Sequence, residues 1–86
     1  MNPAALSPRD IAILDLESRL PVHSVPKEEE IDTVLNLSAV RYYQLLGHLL
    51  DSSAALAYDP LLVRRLRRLR DADRARRVSQ PRSAIA

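Results

Sequence analysis

Only two residues, Asn36 and Leu37, separate a helical segment ending near Leu35 from a second that opens at Ser38. So short a link forces a sharp turn, and it limits how the two helices can pack more than any other feature of the chain. Asn suits the turn, because it tolerates the left-handed backbone conformation better than most residues. Ser38 is a good cap for the next helix, which is expected to run to about Asp51 or Ser52.

The other boundaries are marked by the same kind of punctuation. In Ser7-Pro8-Arg9-Asp10, Ser7 can cap, Pro8 suits the first helical position and Asp10 stands three residues after the cap. Ile13, Leu16 and Leu20 follow at helical spacing with Leu14 on a flank, and Pro21 ends the segment. PVHSVP, residues 21–26, reads as a linker. The second helix is expected from near Pro26 to about Leu35. Glu28, Glu29 and Glu30 stand in its first turn, where acids complement the helix dipole, and Ile31, Val34 and Leu35 face inward. Asp59-Pro60 repeats the start signal. The helix it opens is expected to reach Arg77 and to close the core through Leu62, Leu66 and Leu69. Arg64, Arg65, Arg67, Arg68 and Arg70 take up the rest of its circumference.

These signals predict an all-α, small four-helix domain over residues 7–77, with a flexible stretch at 1–6 and a disordered tail at 78–86. Composition agrees: one Gly, few runs of β-branched residues, 47% hydrophobic and 28% charged residues suit a globular helical protein. With no Trp and no Phe the core is thin, so modest stability is expected. There is no Cys, hence no disulfide, no thiolate nucleophile and no zinc finger. No secretory leader is expected in MNPAALSPRD, and no apolar stretch approaches the ~18 residues of a membrane span. A cytoplasmic protein is the default expectation.

The net charge of +2 conceals an asymmetry. Residues 1–59 carry four basic and nine acidic groups, whereas residues 60–86 carry nine arginines and two acids. One strongly basic end suggests a polyanionic partner, set against the plainer reading of a solvated arginine face.

Projected at about 100° per residue, Tyr42, Leu45, Leu46, Leu49 and Leu50 share one arc of the third helix. Val40, Arg41, Gln44, Gly47 and His48 occupy the opposite arc, with Tyr43 at its edge. The pattern fits the second helix of a helix-turn-helix unit, in which Ile31, Leu35, Leu37, Tyr42 and Leu45 fill inward roles. Ser38, Ala39, Val40, Arg41, Tyr43 and Gln44 would then be exposed at the end that enters the DNA major groove. Arg can fork onto guanine, Gln onto adenine, small apolar groups can touch the thymine methyl, and Ser38 can reach a phosphate. Gly47 has two readings: a tolerated surface glycine, or a gap that admits a DNA strand. His48 and His23 read as surface residues rather than metal ligands. Glu28, Glu29 and Glu30 count against the motif, because its first helix commonly starts near phosphates, and Asp32 stands where a small residue usually allows close packing.

The segments RYYQLL (41–46), LLDSSAALAYDPLLVRRLRRLRDA (49–72) and DIAILDLE (10–17) resemble an actinobacterial family of small helix-turn-helix proteins catalogued as a domain of unknown function. Some of its members are similar to nucleoid-associated proteins and bind DNA. The resemblance spans about residues 9–77. It implies that Arg41, Tyr43 and Gln44 lie on a recognition helix, and that Arg64, Arg65, Arg67 and Arg68 lie on a basic helix near the DNA backbone. The chain departs from the family pattern at Arg19 and Leu20, where aromatic residues are usual, and in the linker, where His23 and two prolines replace Gly or Ala.

The expected function is therefore double-stranded DNA binding, as a transcription regulator or nucleoid-associated factor in the cytoplasm. The expected contacts are Ser38, Ala39, Val40, Arg41, Tyr43, Gln44, Gly47, His48, Arg64, Arg65, Arg67 and Arg68. No catalytic constellation, phosphate loop or metal-ligand spacing is present, so no enzyme activity, cofactor, metal or small-molecule substrate is expected. A monomer is expected over a homodimer, and no membrane association. The alternative is a module that docks to another regulator through its acidic front and basic back.

Overall fold

The computed structural model describes residues 5–79 and contains, among those residues, five α-helices and no strand. They are α1 (Pro8–Arg19), α2 (Val25–Thr33), α3 (Ala39–Leu49), α4 (Ser53–Tyr58) and α5 (Pro60–Ser79). Every helix starts with a polar side chain that accepts a backbone N–H three residues ahead. Ser7 accepts from Asp10 (3.0 Å), and Asp10 returns the bond to the Ser7 N–H (3.0 Å), closing a capping box. Ser24 accepts from Lys27, Ser38 from Arg41, Ser52 from Ala55 and Asp59 from Leu62. The cap of α2 is thus Ser24, two residues before the expected start at Pro26.

The fifth helix is a correction. Residues 53–58, SAALAY, form a six-residue helix where four helices in all were expected. Three alanines and one leucine give no apolar stripe over so few residues, so periodicity cannot detect it. Its position is fixed by the buried Ala55 and by Tyr58, whose hydroxyl donates to Asp15 of α1 at 2.7 Å.

The core forms around α3. Tyr42, Leu45, Leu46, Leu49 and Leu50 are all buried, against Ile13, Leu14 and Leu16 of α1, Ile31 of α2, Ala55 of α4, and Leu62 and Val63 of α5. Between α2 and α3, Asn36 takes the left-handed conformation (φ 56°), and the Leu37 N–H bonds back to the Ile31 carbonyl at 3.1 Å. The sharp turn expected here is present, but the link is longer than the two residues read from the sequence: α2 ends at Thr33 rather than near Leu35, so residues 34–38 lie between the helices.

Two expected core positions lie outside. Val34 is 68% exposed, because α2 ends at Thr33 and the chain turns before that face reaches α3. Leu69 is 60% exposed, while Val63 is fully buried. The buried arc of α5 is Leu62, Val63 and Leu66, centred about 65° from Leu69, which also lies a turn beyond the last packed residue. Val78 and Ser79 continue α5 where a disordered tail had been expected, and residues 80–86 of that tail lie outside the described residues. Of the stretch expected to be flexible, residues 1–4 lie outside as well, while Leu6 packs partly against the core. Among the described residues, no helix is long and apolar enough to cross a membrane.

Candidate nucleic-acid interface

The capping of α3 by Ser38 and the burial of Tyr42 fix which side of the helix faces out. Val40, Arg41, Tyr43, Gln44, Gly47 and His48 are all exposed, and Ala39 is partly so. Arg41 extends beside Gln44, with 3.5 Å between its Nη1 and the amide oxygen. Tyr43 is held from the linker: its hydroxyl lies 2.7 Å from His23 Nδ1, and His23 Nε2 lies 2.7 Å from Glu28. The carboxylate can only accept, so Nε2 donates to Glu28, and Nδ1 faces the Tyr43 hydroxyl. The linker histidine thus orients a side chain on the outward face of α3.

Beneath this face lies a polar cluster that the sequence reading did not anticipate. Glu17 (4% exposed) and Lys27 (1% exposed) form an ion pair, with 2.8 Å from Nζ to Oε1. The same oxygen accepts the Tyr42 hydroxyl at 2.8 Å. The Lys27 ammonium also lies 5.7 Å from the centre of the Tyr42 ring and 5.3 Å from that of Tyr43, so both rings face a desolvated cation. Burial, and then the hydrogen bond to Glu17, push the Tyr42 phenol well above its ordinary range. A signal was available: Glu17 continues the Ile13–Leu16–Leu20 stripe at i+4 from Ile13, and Lys27 stands four residues before Ile31.

The arginines of α5 divide into two groups. Arg67 is partly buried and donates from Nε to the Leu50 carbonyl at the C-terminal cap of α3. Arg70 bonds Asp51 (3.1 Å) and Asp71 (3.4 Å), which holds its guanidinium above its ordinary range. These two fasten α5 to the end of α3. Arg64, Arg65 and Arg68 are exposed, and none has an ion-pair partner among the described residues. They fall on one arc of about 100° around α5.

The acids divide likewise. Glu30 pairs with Arg19 (2.6 Å), which holds its carboxyl below the usual range, and Glu28 meets His23. Glu28, Glu29 and Asp32 also line a hollow that reaches Ser38 and Ala39. Phosphate would be repelled there, so the start of α3 is a poorer phosphate contact than the α5 arc.

Gly47 has open space where a Cβ would stand, with nothing within 4 Å. Gly47→Ala should therefore stabilise the helix by about 0.5–1 kcal/mol and raise the melting midpoint by a few degrees, measured by circular dichroism. DNA affinity measured in parallel separates the two readings of this glycine: a surface position is indifferent to the methyl group, and a point of close DNA approach loses affinity.

No group of three or more His, Cys, Asp or Glu residues among those described could hold a metal ion. No curated protein and no solved structure matches the chain. One family does match, over residues 5–78, and it is described as Protein of unknown function (DUF3263). The match takes in all five capped helices almost to the end of α5, and the chain therefore belongs to the DUF3263 family.

Proposed function

We propose that this protein binds double-stranded DNA through a helix-turn-helix formed by α2 and α3, as a transcription regulator or nucleoid-associated factor. The observation that carries the reading is the union of two exposed surfaces. One is the outward face of α3, with Arg41 and Gln44 side by side; the other is the unpaired arc of Arg64, Arg65 and Arg68 on α5. The first has the chemistry to read base edges and the second to neutralise phosphates. The turn at Asn36 and the buried Tyr42 support it by holding α3 rigidly with that face outward.

Selection of bound sequences from a random duplex pool tests the proposal. An enriched motif is expected, and Arg41→Ala should lose roughly 1–3 kcal/mol on that motif while affecting unrelated sequences less. Absence of any duplex binding in a low-salt gel shift would overturn the reading.

A further inference from the structure

Ala39, Val40, Tyr43 and Gln44 form one wall of a groove of about 880 Å³, and Leu66 and Leu69 of α5 form another. Pro21, His23 and the Glu17–Lys27 pair complete its lining. Val40 and Leu69 are 70% and 60% exposed, which leaves apolar surface from two helices uncovered beside each other. Uncovered apolar side chains that two helices bring together in one groove, rather than scattered singly, are the arrangement found at interaction sites.

The shape of the groove and the charge around it narrow the occupant. It is open to solvent rather than enclosed, which suits a segment laid across it more than an engulfed small molecule. The acids near the rim are already paired, Glu28 with His23, and Asp73, about 40° from Leu69 around α5, with Arg76 and Arg77. The unmatched charge is basic: Arg65 lies about 40° from Leu69 on the other side, Arg68 about 100° away on that side, and Arg41 beside Gln44 on α3. Arg65 and Arg68 have no ion-pair partner among the described residues, and Arg41 meets only the neutral Gln44. A second copy docking through its own arginine-rich α5 would meet like charge, and its acidic α2 exposes no apolar stripe to fill the groove. A small apolar molecule would leave the rim unmatched.

We propose that the groove is a docking site for an amphipathic helix of a partner protein, with apolar residues at i, i+3 or i+4, and i+7 and acidic residues along its flanks. The apolar stripe covers Val40, Tyr43, Leu66 and Leu69, and the flanking carboxylates meet Arg41, Arg65 and Arg68. The groove shares Val40, Tyr43 and Gln44 with the face assigned to DNA, so partner and DNA exclude each other.

The test uses the full chain labelled with ¹⁵N and two synthetic helical peptides of the same apolar face, one flanked by Glu and the other by Lys. No DNA is present, so the outcome is independent of whether the protein reads DNA. The Glu-flanked peptide should produce saturable amide shifts centred on Val40, Tyr43, Leu66 and Leu69, and should bind at least tenfold more tightly than the Lys-flanked one. Val40→Asp and Leu69→Asp, both at exposed positions and checked for an unchanged spectrum elsewhere, should each weaken binding at least tenfold. The double charge reversal Arg41→Glu, Arg65→Glu should invert the preference between the peptides. Shifts centred elsewhere, equal binding of both peptides, or no saturable binding would overturn the proposal.

Discussion

Lys27→Ala should destabilise the fold by about 3–5 kcal/mol, a loss readable as a shift of the urea midpoint. The Glu17 carboxylate, 4% exposed, accepts hydrogen bonds from Lys27 and Tyr42 through one oxygen. Removing the lysine leaves that charge buried with a single neutral donor, and a volume the size of a lysine side chain empties beside two tyrosine rings. For a chain of this length the whole folding free energy is about 4–13 kcal/mol, so the variant loses a large fraction of it, and at the low end of that range all of it. The pair itself is worth much less than this loss. Its attraction must offset the desolvation of both ions, and apolar replacements of similar volume are often neutral or better. Lys27→Met combined with Glu17→Leu should therefore recover most of the loss, with Tyr42 keeping the Ile13 carbonyl, 3.3 Å from its hydroxyl. A single variant costing under about 1 kcal/mol would show that the ion pair is not structurally important.

That cluster also marks where the sequence was legible and where it was not. Helix starts were readable at Ser7, Ser38 and Asp59 because each cap lies next to a proline or a strong apolar stripe. Ser24 and Ser52 cap by the same geometry, but neither precedes a stripe long enough to single it out. The two faces of α3 were legible because five apolar residues share one arc and all five are buried. The pairing of Glu17 with Lys27 is not legible in the sequence, because each alone is a surface residue type and only tertiary packing brings them within 2.8 Å. The split among the α5 arginines was hidden for a related reason. Arg67 finds a backbone carbonyl and Arg70 finds Asp51 only once α4 has set the approach of α5.

The split changes what salt dependence should reveal. With five or six phosphate contacts, log K against log salt would fall with a slope near −5, at about −0.9 per contact. Arg67 and Arg70 are occupied in holding α5 to α3 and Arg41 is assigned to base edges, which leaves Arg64, Arg65 and Arg68 on phosphate and a slope of about −2.7. Replacing Arg64, Arg65 and Arg68 together by Ala should bring the slope to about zero. At about 0.1 M salt each such contact contributes roughly eightfold, so the triple variant should bind any duplex about 500-fold more weakly. Its fold should be intact, because none of the three side chains is buried or paired with an acid among the described residues. Arg67→Ala should behave in the opposite way. It removes the donor from the Leu50 carbonyl and should lower the unfolding midpoint while leaving the salt slope of the folded protein unchanged. Fluorescence anisotropy over a salt series, paired with thermal melts of the same variants, measures both quantities. If the triple variant keeps the parent slope, phosphate is not met on that arc, and the DNA reading loses the surface that supplies its affinity.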